Sequence, residues 1–192
     1  MNELANNIED KINNVICVTR FNDETYAQFE EHLNERICLK TLNAPENVSQ
    51  VYNTPLPIAE SLKFDKKYFL VIEMLNSKNL ITGISVIKNR SYFKKFKVYN
   101  DQNYNRYSYK ICKRMSRYEI LALESELLKV LETLIFTEKN HLKRGQGIQY
   151  INSNYYKKLH KKFHHLESLE SNEIEKYLIK KIRNIINDKN YT

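Results

Sequence analysis

Tyr68–Leu75 reads Y-F-L-V-I-E-M-L, followed by N-S-K-N at 76–79 and L-I-T-G-I-S-V-I-K at Leu80–Lys88. The first run is almost continuously apolar, the pattern of a strand covered on both faces. The Asn-rich tetrapeptide is a turn, and the second run is again rich in β-formers, so a hairpin is expected. Two more strands are expected at Phe93–Tyr99 and Tyr104–Ile111, with N-D-Q-N (100–103) turning between them. This makes a four-stranded antiparallel meander.

Outward from the meander the pattern becomes helical. Ser116 and Glu119 in S-R-Y-E form a capping-box pair. Apolar residues then recur at Ile120, Leu123, Leu127, Val130, Leu131 and Leu134. This stripe predicts a helix to about Phe136 that packs on the sheet. N-terminal to the meander, residues 3–14 are expected to be a short helix, Val15–Arg20 a strand and Asp23–Arg36 a helix with Tyr26, Phe29 and Leu33 on one side. Residues 43–57 hold all three prolines and read as a loop, with a helical turn at Ile58–Leu62. C-terminal to it, 141–151 is a loop running into an extended piece. Residues 153–166 and 172–187 are expected to be Lys-rich helices. The predicted class is α+β: one domain over 1–192, with a small curved antiparallel sheet or partial β-barrel at about 66–151 and basic C-terminal helices over 153–188.

Charge is distributed by region. The chain has 192 residues and a net charge of +8. Residues 1–77 carry seven bases against twelve acids. Residues 88–117 carry ten bases, Asp101 as the single acid and seven aromatics, and residues 139–165 carry seven bases and no acid. Concentrated cations draw a polyanion, and interleaved flat rings stack on bases. The acidic N-terminal region is a candidate surface for a protein partner. Three scattered cysteines without C-x-x-C read as reduced intracellular thiols. No apolar run reaches membrane-span length, and no apolar leader segment opens the sequence, so no membrane partner is expected.

Among candidate site residues, Gly145 and Gly147 in K-R-G-Q-G are two of only three glycines. Glycine suits positive φ or close approach to a ligand. With Lys143 and Arg144 before them and Gln146 between, they read as an anion site; a helix C-cap with ordinary surface cations is the alternative. In N-Y-N-R-Y-S-Y (103–109), alternation puts Tyr107, Tyr109 and Ile111 on a buried face. Tyr104, Arg106, Ser108 and Lys110 fall on a polar one. Base contacts are therefore expected from Asn103, Tyr104, Arg106 and Gln146, and phosphate contacts from Lys94, Lys95, Lys97, Arg114, Arg117, Lys143 and Arg144. Gly83 inside a strand marks a bulge or a close approach. His160 and His164 share a helical face without an evident third ligand, so they extend a basic face and no metal or cofactor is expected. His141 and Glu73 are the weak catalytic candidates, and Glu73 reads chiefly as a hydrogen-bond acceptor facing a pocket.

The stretch from Tyr68 to Gly147 resembles a set of uncharacterised proteins of large nucleocytoplasmic DNA viruses. The resemblance lies in I-T-G-I-S-V-I (81–87), Y-N-R-Y-S-Y (104–109), Arg117 and H-L-K-R-G-Q-G (141–147). It implies origin more than activity. More distantly, the hairpin is similar to PUA-like folds, including EVE and YTH domains, which take RNA or modified bases in a pocket on a small barrel. The chain has no Trp, so a tryptophan cage is excluded and Tyr or Phe would line such a pocket. The expected function is nucleic-acid binding, RNA before DNA and with a modified base as one target, in the cytoplasm or, for a viral protein, the host cytoplasm or virus factory. The alternatives are an enzyme acting on nucleic acid or nucleotides, and a basic viral structural or DNA-packaging protein.

Overall fold

A computed structural model describes residues 12–41, 49–58, 68–92, 96–139 and 141–187. The strands are β1 (Ile12–Phe21), β2 (Val51–Thr54), β3 (Tyr68–Leu75), β4 (Leu80–Ser91), β5 (Tyr107–Ser116) and β6 (Gln149–Tyr150). The α-helices are α1 (Asp23–Thr41), α2 (Arg117–Phe136) and α3 (Ser171–Asn187), with short 3-10 segments at Gln102–Asn105, Ser153–Leu159 and His164–Leu166. The strands form one sheet in the order β2-β5-β4-β3-β1-β6, curled into a half-barrel. The expected α+β class with a curved sheet is therefore present. β1 enters it parallel to β3, and the other pairings are antiparallel.

Both faces of the sheet are covered, as the apolar run of β3 requires. Leu70, Ile72 and Met74 pack with Ile120, Leu127, Leu131 and Leu134 of α2 and with Ile174, Leu178 and Ile182 of α3. Phe69, Val71 and Leu75 point the other way, into a cluster with Phe29 and Leu33 of α1, Tyr52 and Tyr109. Ser116 caps α2 through the expected box with Glu119. Helix α2 is interrupted at Glu124 (φ −154°, ψ 71°), whose carboxylate takes a 3.1 Å contact from Lys181 of α3. Asn22 caps α1: its Oδ1 accepts from the Thr25 N–H at 2.8 Å, and the Thr25 hydroxyl accepts from the Asn22 N–H at 3.0 Å.

Several expectations are corrected. Residues 12–14 begin β1, where a helix over 3–14 was expected; 1–11 lie outside the described residues. Val51–Thr54, inside the expected proline loop, is an edge strand paired with β5. Pro55 and Pro57 end it rather than forbid it, because Val51 and Tyr52 are β-formers with a partner to pair with. The sheet thus reaches beyond 66–151 to include β1 and β2. The described part of the expected strand Phe93–Tyr99, residues 96–99, is not strand. Of the Ile58–Leu62 turn only Ile58 is described, and it is buried. Strand β5 starts at Tyr107, not Tyr104, because Asp101 accepts from the Asn103 N–H at 2.8 Å and closes a 3-10 turn over 102–105. Residues 153–166 form two 3-10 pieces in place of one helix.

Candidate nucleotide site at the sheet seam

β2 and β6 are the two outer strands of the curled sheet. The loop before β6 closes the distance between them. A Cβ on Gly147 would sit 3.4 Å from the Leu56 carbonyl oxygen and 3.7 Å from the Thr54 Cβ, at the end of β2. Gly145 (φ 120°) and Gly147 (φ 70°) both take left-handed backbone, the conformation for which glycine was expected. A Cβ on Gly145 would also collide with the Gln149 carboxamide, 2.8 Å from its Nε2. The loop follows α2 at a distance in sequence, with Thr137 closing that helix, so the helix C-cap alternative does not apply.

A cavity of about 180 Å³ opens at this seam. Its wall is built from the end of β1 and the start of α1 (Thr19, Arg20, Phe21, Asn22, Thr25), the end of β2 (Asn53, Thr54, Pro55), Asn76 of the β3–β4 turn, Tyr99, Tyr104 and Gly145–Gly147. Beside it a cleft of about 310 Å³ is lined by Pro55, Leu56, Asp101, Asn103, Tyr104, Arg106 and Gln146. Pro55, Tyr104 and Gln146 border both.

A polar knot fixes the aromatic wall. The Asn53 amide donates to the Phe96 carbonyl (2.6 Å) and to Asn105 Oδ1 (2.8 Å), and the Ser108 hydroxyl donates to Asn53 Oδ1 (2.6 Å). Asn105 Oδ1 also accepts from the Val98 and Tyr99 N–H groups at 3.0 Å each. This pins the segment carrying Tyr99 and Tyr104, whose rings meet edge to face at 5.9 Å. Ser108 is buried by the same knot, so its expected place on a polar face is corrected. Tyr109 and Ile111 are buried as expected, and Tyr107 is half-buried.

Arg20 is the only charged residue among the described residues bordering the cavity, and its side chain turns to the α2–α3 face of the sheet, where its strand partner Met74 also packs. Its Nε donates to the Leu142 carbonyl at 2.5 Å, while Nη1 is buried without a hydrogen-bond partner among the described residues. Burial pulls the guanidinium pKa down to about 10. Asn76 donates to the Lys143 carbonyl at 3.0 Å, and its Oδ1 is likewise buried without a partner among the described residues. Sequence reading missed Arg20, Asn76 and Tyr99. The parallel entry of β1 is what brings Arg20 there, and no local pattern announces it.

Of the expected site residues, Asn103, Tyr104, Arg106, Gly145, Gln146 and Gly147 come together at the two cavities. Arg106 is exposed, and its Nη2 donates to Asn103 Oδ1 at 2.7 Å. Lys97 and Arg144 are exposed. Lys143 is half-buried, with Nζ 6.0 Å from the Phe136 ring centroid. Lys94 and Lys95 lie outside the described residues. Arg114 and Arg117, expected at phosphates, are turned inward. Arg117 bonds the Ile81 carbonyl at 2.9 Å and pairs with Glu132. Arg114 holds Glu73 through Nε at 2.8 Å and Nη2 at 2.7 Å.

Glu73 is fully buried, against the expectation that it faces a pocket. Besides Arg114 it accepts from the Tyr52 and Thr82 hydroxyls, the latter at 3.1 Å, and lies 3.2 Å from the Ser85 hydroxyl. Burial and the Glu73 charge push the Tyr52 hydroxyl well above its ordinary value. Gly83 opposes Glu73 in the ladder, where the register shifts. A Cβ there would lie 2.6 Å from Glu73 Oε2 and 2.8 Å from the Met115 carbonyl oxygen, so both the bulge and the close approach apply. His141 accepts from the Lys143 N–H at 3.4 Å next to Leu142, which packs in the opposite core. His160 contacts the Glu167 carbonyl and His164 its carboxylate; His165 faces Glu126. Among the described residues no group of three His, Cys, Asp or Glu is placed to hold a metal, and no helix is long and apolar enough to cross a membrane.

Comparison with known protein families, with curated proteins and with solved structures finds no match for this chain.

Proposed function

We propose that this chain binds nucleic acid, single-stranded RNA in preference to DNA, at the seam between the outer strands of its sheet. One observation carries the reading: the segments 103–106 and 145–147, far apart in sequence, border a single pair of adjoining cavities with Tyr104 between them. The Tyr104 ring offers a face for a base, Asn103 and Gln146 offer donors and acceptors for a base edge, and exposed Arg106 and Arg144 offer charge for the backbone. A pocket of this kind admits an unstacked base and not one held in a duplex, which favours a single strand.

Fluorescence anisotropy with labelled single-stranded RNA, single-stranded DNA and duplex DNA tests it. The expected result is tightest binding to single-stranded RNA, with a log–log salt slope of about −2 or steeper and weakening in Tyr104→Ala and Arg106→Ala. No binding at low salt, or equal binding to duplex DNA, overturns it.

A further inference from the structure

The seam uses few of the cations that set residues 139–165 apart, and the fold gathers others of that block at one end of α2. The Leu142 N–H bonds the Ile135 carbonyl at 2.8 Å, which ties the loop 141–147 to the last turn of that helix. Lys143 Nζ lies 6.0 Å from the Phe136 ring centroid. From the C-terminal side, Lys158 Nζ donates to the Thr137 carbonyl at 3.1 Å and Lys162 Nζ to the Thr137 hydroxyl at 3.3 Å, with the Glu138 carboxylate 3.6 Å from Lys162. The loop that reaches the seam and the lysine-rich segment 153–162 therefore meet over residues 135–138. A cleft of about 460 Å³ opens there, lined by Glu138, Asn154, Tyr155, Lys157, Lys158 and Lys161. Two of the lysines serve the fold: Lys158 and Lys162 meet the negative end of the α2 dipole, and Glu138 answers Lys162. Lys157 and Lys161 have no such partner. Both are exposed, and no carboxylate among the described residues pairs with either. Holding them beside Lys158 costs like-charge repulsion, which an anion in the cleft removes. Tyr155 is half-buried on the same wall, with Lys158 Nζ 5.8 Å from its ring centroid. A partly open ring among cations repeats the chemistry of the outer cleft at the seam, where Tyr104 stands with Arg106.

We propose that this cleft is a second contact for the RNA strand: a strand longer than the seam holds passes Arg144 and the end of α2, and lays its phosphates along Lys157 and Lys161 beside the Tyr155 ring. This rests on the reading that the seam takes single-stranded RNA, and adds the path by which the strand leaves it.

Fluorescence anisotropy with labelled single-stranded RNAs of about 4 and about 16 nucleotides, the range of sizes that single-strand sites cover, tests it. The longer RNA should bind about tenfold or more tighter, because the second contact forms within the same complex. Its salt slope should also be steeper than that of the shorter one. Lys157→Glu with Lys161→Glu should erase the margin, make the slope of the longer RNA shallower by about one to two units, and leave the shorter RNA unchanged. Both side chains are exposed, so the melting temperature should hold. Lys176→Glu with Lys180→Glu makes the same change of net charge at exposed positions of α3 that line neither this cleft nor the seam cavities. That pair should keep the margin. Tyr104→Ala should weaken both RNAs.

A margin without a steeper slope reflects only the extra registers of a longer strand and overturns the proposal, as does equal weakening by the two lysine pairs. If both RNAs bind alike and both depend on Tyr104, the second contact fails and the seam reading stands. If the Lys157 and Lys161 pair abolishes binding of both RNAs while Tyr104→Ala changes neither, the seam reading fails and the path from it fails too. If neither RNA binds, both fail. Vesicles of phosphatidylserine and phosphatidylcholine supply the remaining arm. Vesicle binding that the Lys157 and Lys161 pair abolishes, with the RNA margin unchanged by that pair, assigns the cleft to an anionic lipid surface and overturns the proposal.

Discussion

Two arginines are withdrawn from water in this protein, and their surroundings move them in opposite directions. Burial disfavours the charge on both. At Arg114 the Glu73 carboxylate, held by two hydrogen bonds, outweighs burial and raises the pKa. At Arg20 no carboxylate among the described residues answers, and the pKa falls to about 10. The Glu73 carboxylate is fully buried and its Arg114 partner largely so: Tyr52, Thr82 and Ser85 complete the pair, and Arg114 Cζ lies 5.8 Å over Phe29, whose ring stacks on Tyr52. It has the character of a structural device. Arg20 is held only by the Leu142 carbonyl, with Nη1 left without a hydrogen-bond partner among the described residues.

The sharpest way to break this contrast is to remove each guanidinium in turn. Arg114→Met strands Glu73 in the core and should cost about 3–5 kcal/mol, as breaking a buried pair does. Arg20→Met leaves no opposite charge behind and should cost about 1 kcal/mol, the value of the bond to Leu142. Urea denaturation at neutral pH measures both. Equal losses would mean that Arg20 is as structural as Arg114.

The tyrosines carry the same contrast. Tyr109 is buried, and its hydroxyl accepts from the Ile58 N–H at 2.9 Å. Tyr109→Ala should cost about 3–5 kcal/mol of stability. Tyr104→Ala should change folding little and reduce RNA affinity by about 1–3 kcal/mol, one base stack. Thermal melts and binding titrations on both variants decide it, and a Tyr104→Ala protein that melts early but binds normally would move the site elsewhere. Gly83→Ala is a finer probe of the closed pair. The added methyl meets Glu73 and the Met115 carbonyl, so a loss of about 1–3 kcal/mol is expected by denaturation, as overpacking gives. A neutral result would show that the pair has room to move.

Sequence reading was sound where local pattern and tertiary structure agree. The hairpin of β3 and β4, the capping box at Ser116 and the stripe of α2 each follow from a single period. It missed β2 because prolines on both sides masked a four-residue strand whose stability comes from β5. Alternation failed before Tyr107 because Asp101 closes a 3-10 turn there, a hydrogen bond that competes with the ladder. The pairing of 103–106 with 145–147 was foreshadowed only as two separate basic, ring- or glycine-containing motifs. Their meeting depends on the curl of the sheet, a long-range property, and so does the arrival of Arg20 and Asn76. Charge counting also overreached: it enlisted Arg114 and Arg117 for phosphate although carboxylates elsewhere in the chain hold them.

The smallest expected effect separates a surface cation from those internal ones. Arg144 is exposed and adjoins Gly145 at the seam. Arg144→Ala should leave stability within about 0.5 kcal/mol, as surface changes do. A side chain that neutralises one phosphate releases about one counter-ion, so the salt slope of RNA binding should become shallower by about one unit. Affinity should fall to a similar degree for every RNA sequence, because a phosphate contact carries no base information. Anisotropy titrations at several salt concentrations, run on two RNA sequences, measure slope and selectivity together. An unchanged slope would take Arg144 off the strand's path and confine the contacts to Arg106 and the cavities. A change in sequence preference would put its guanidinium on a base edge instead.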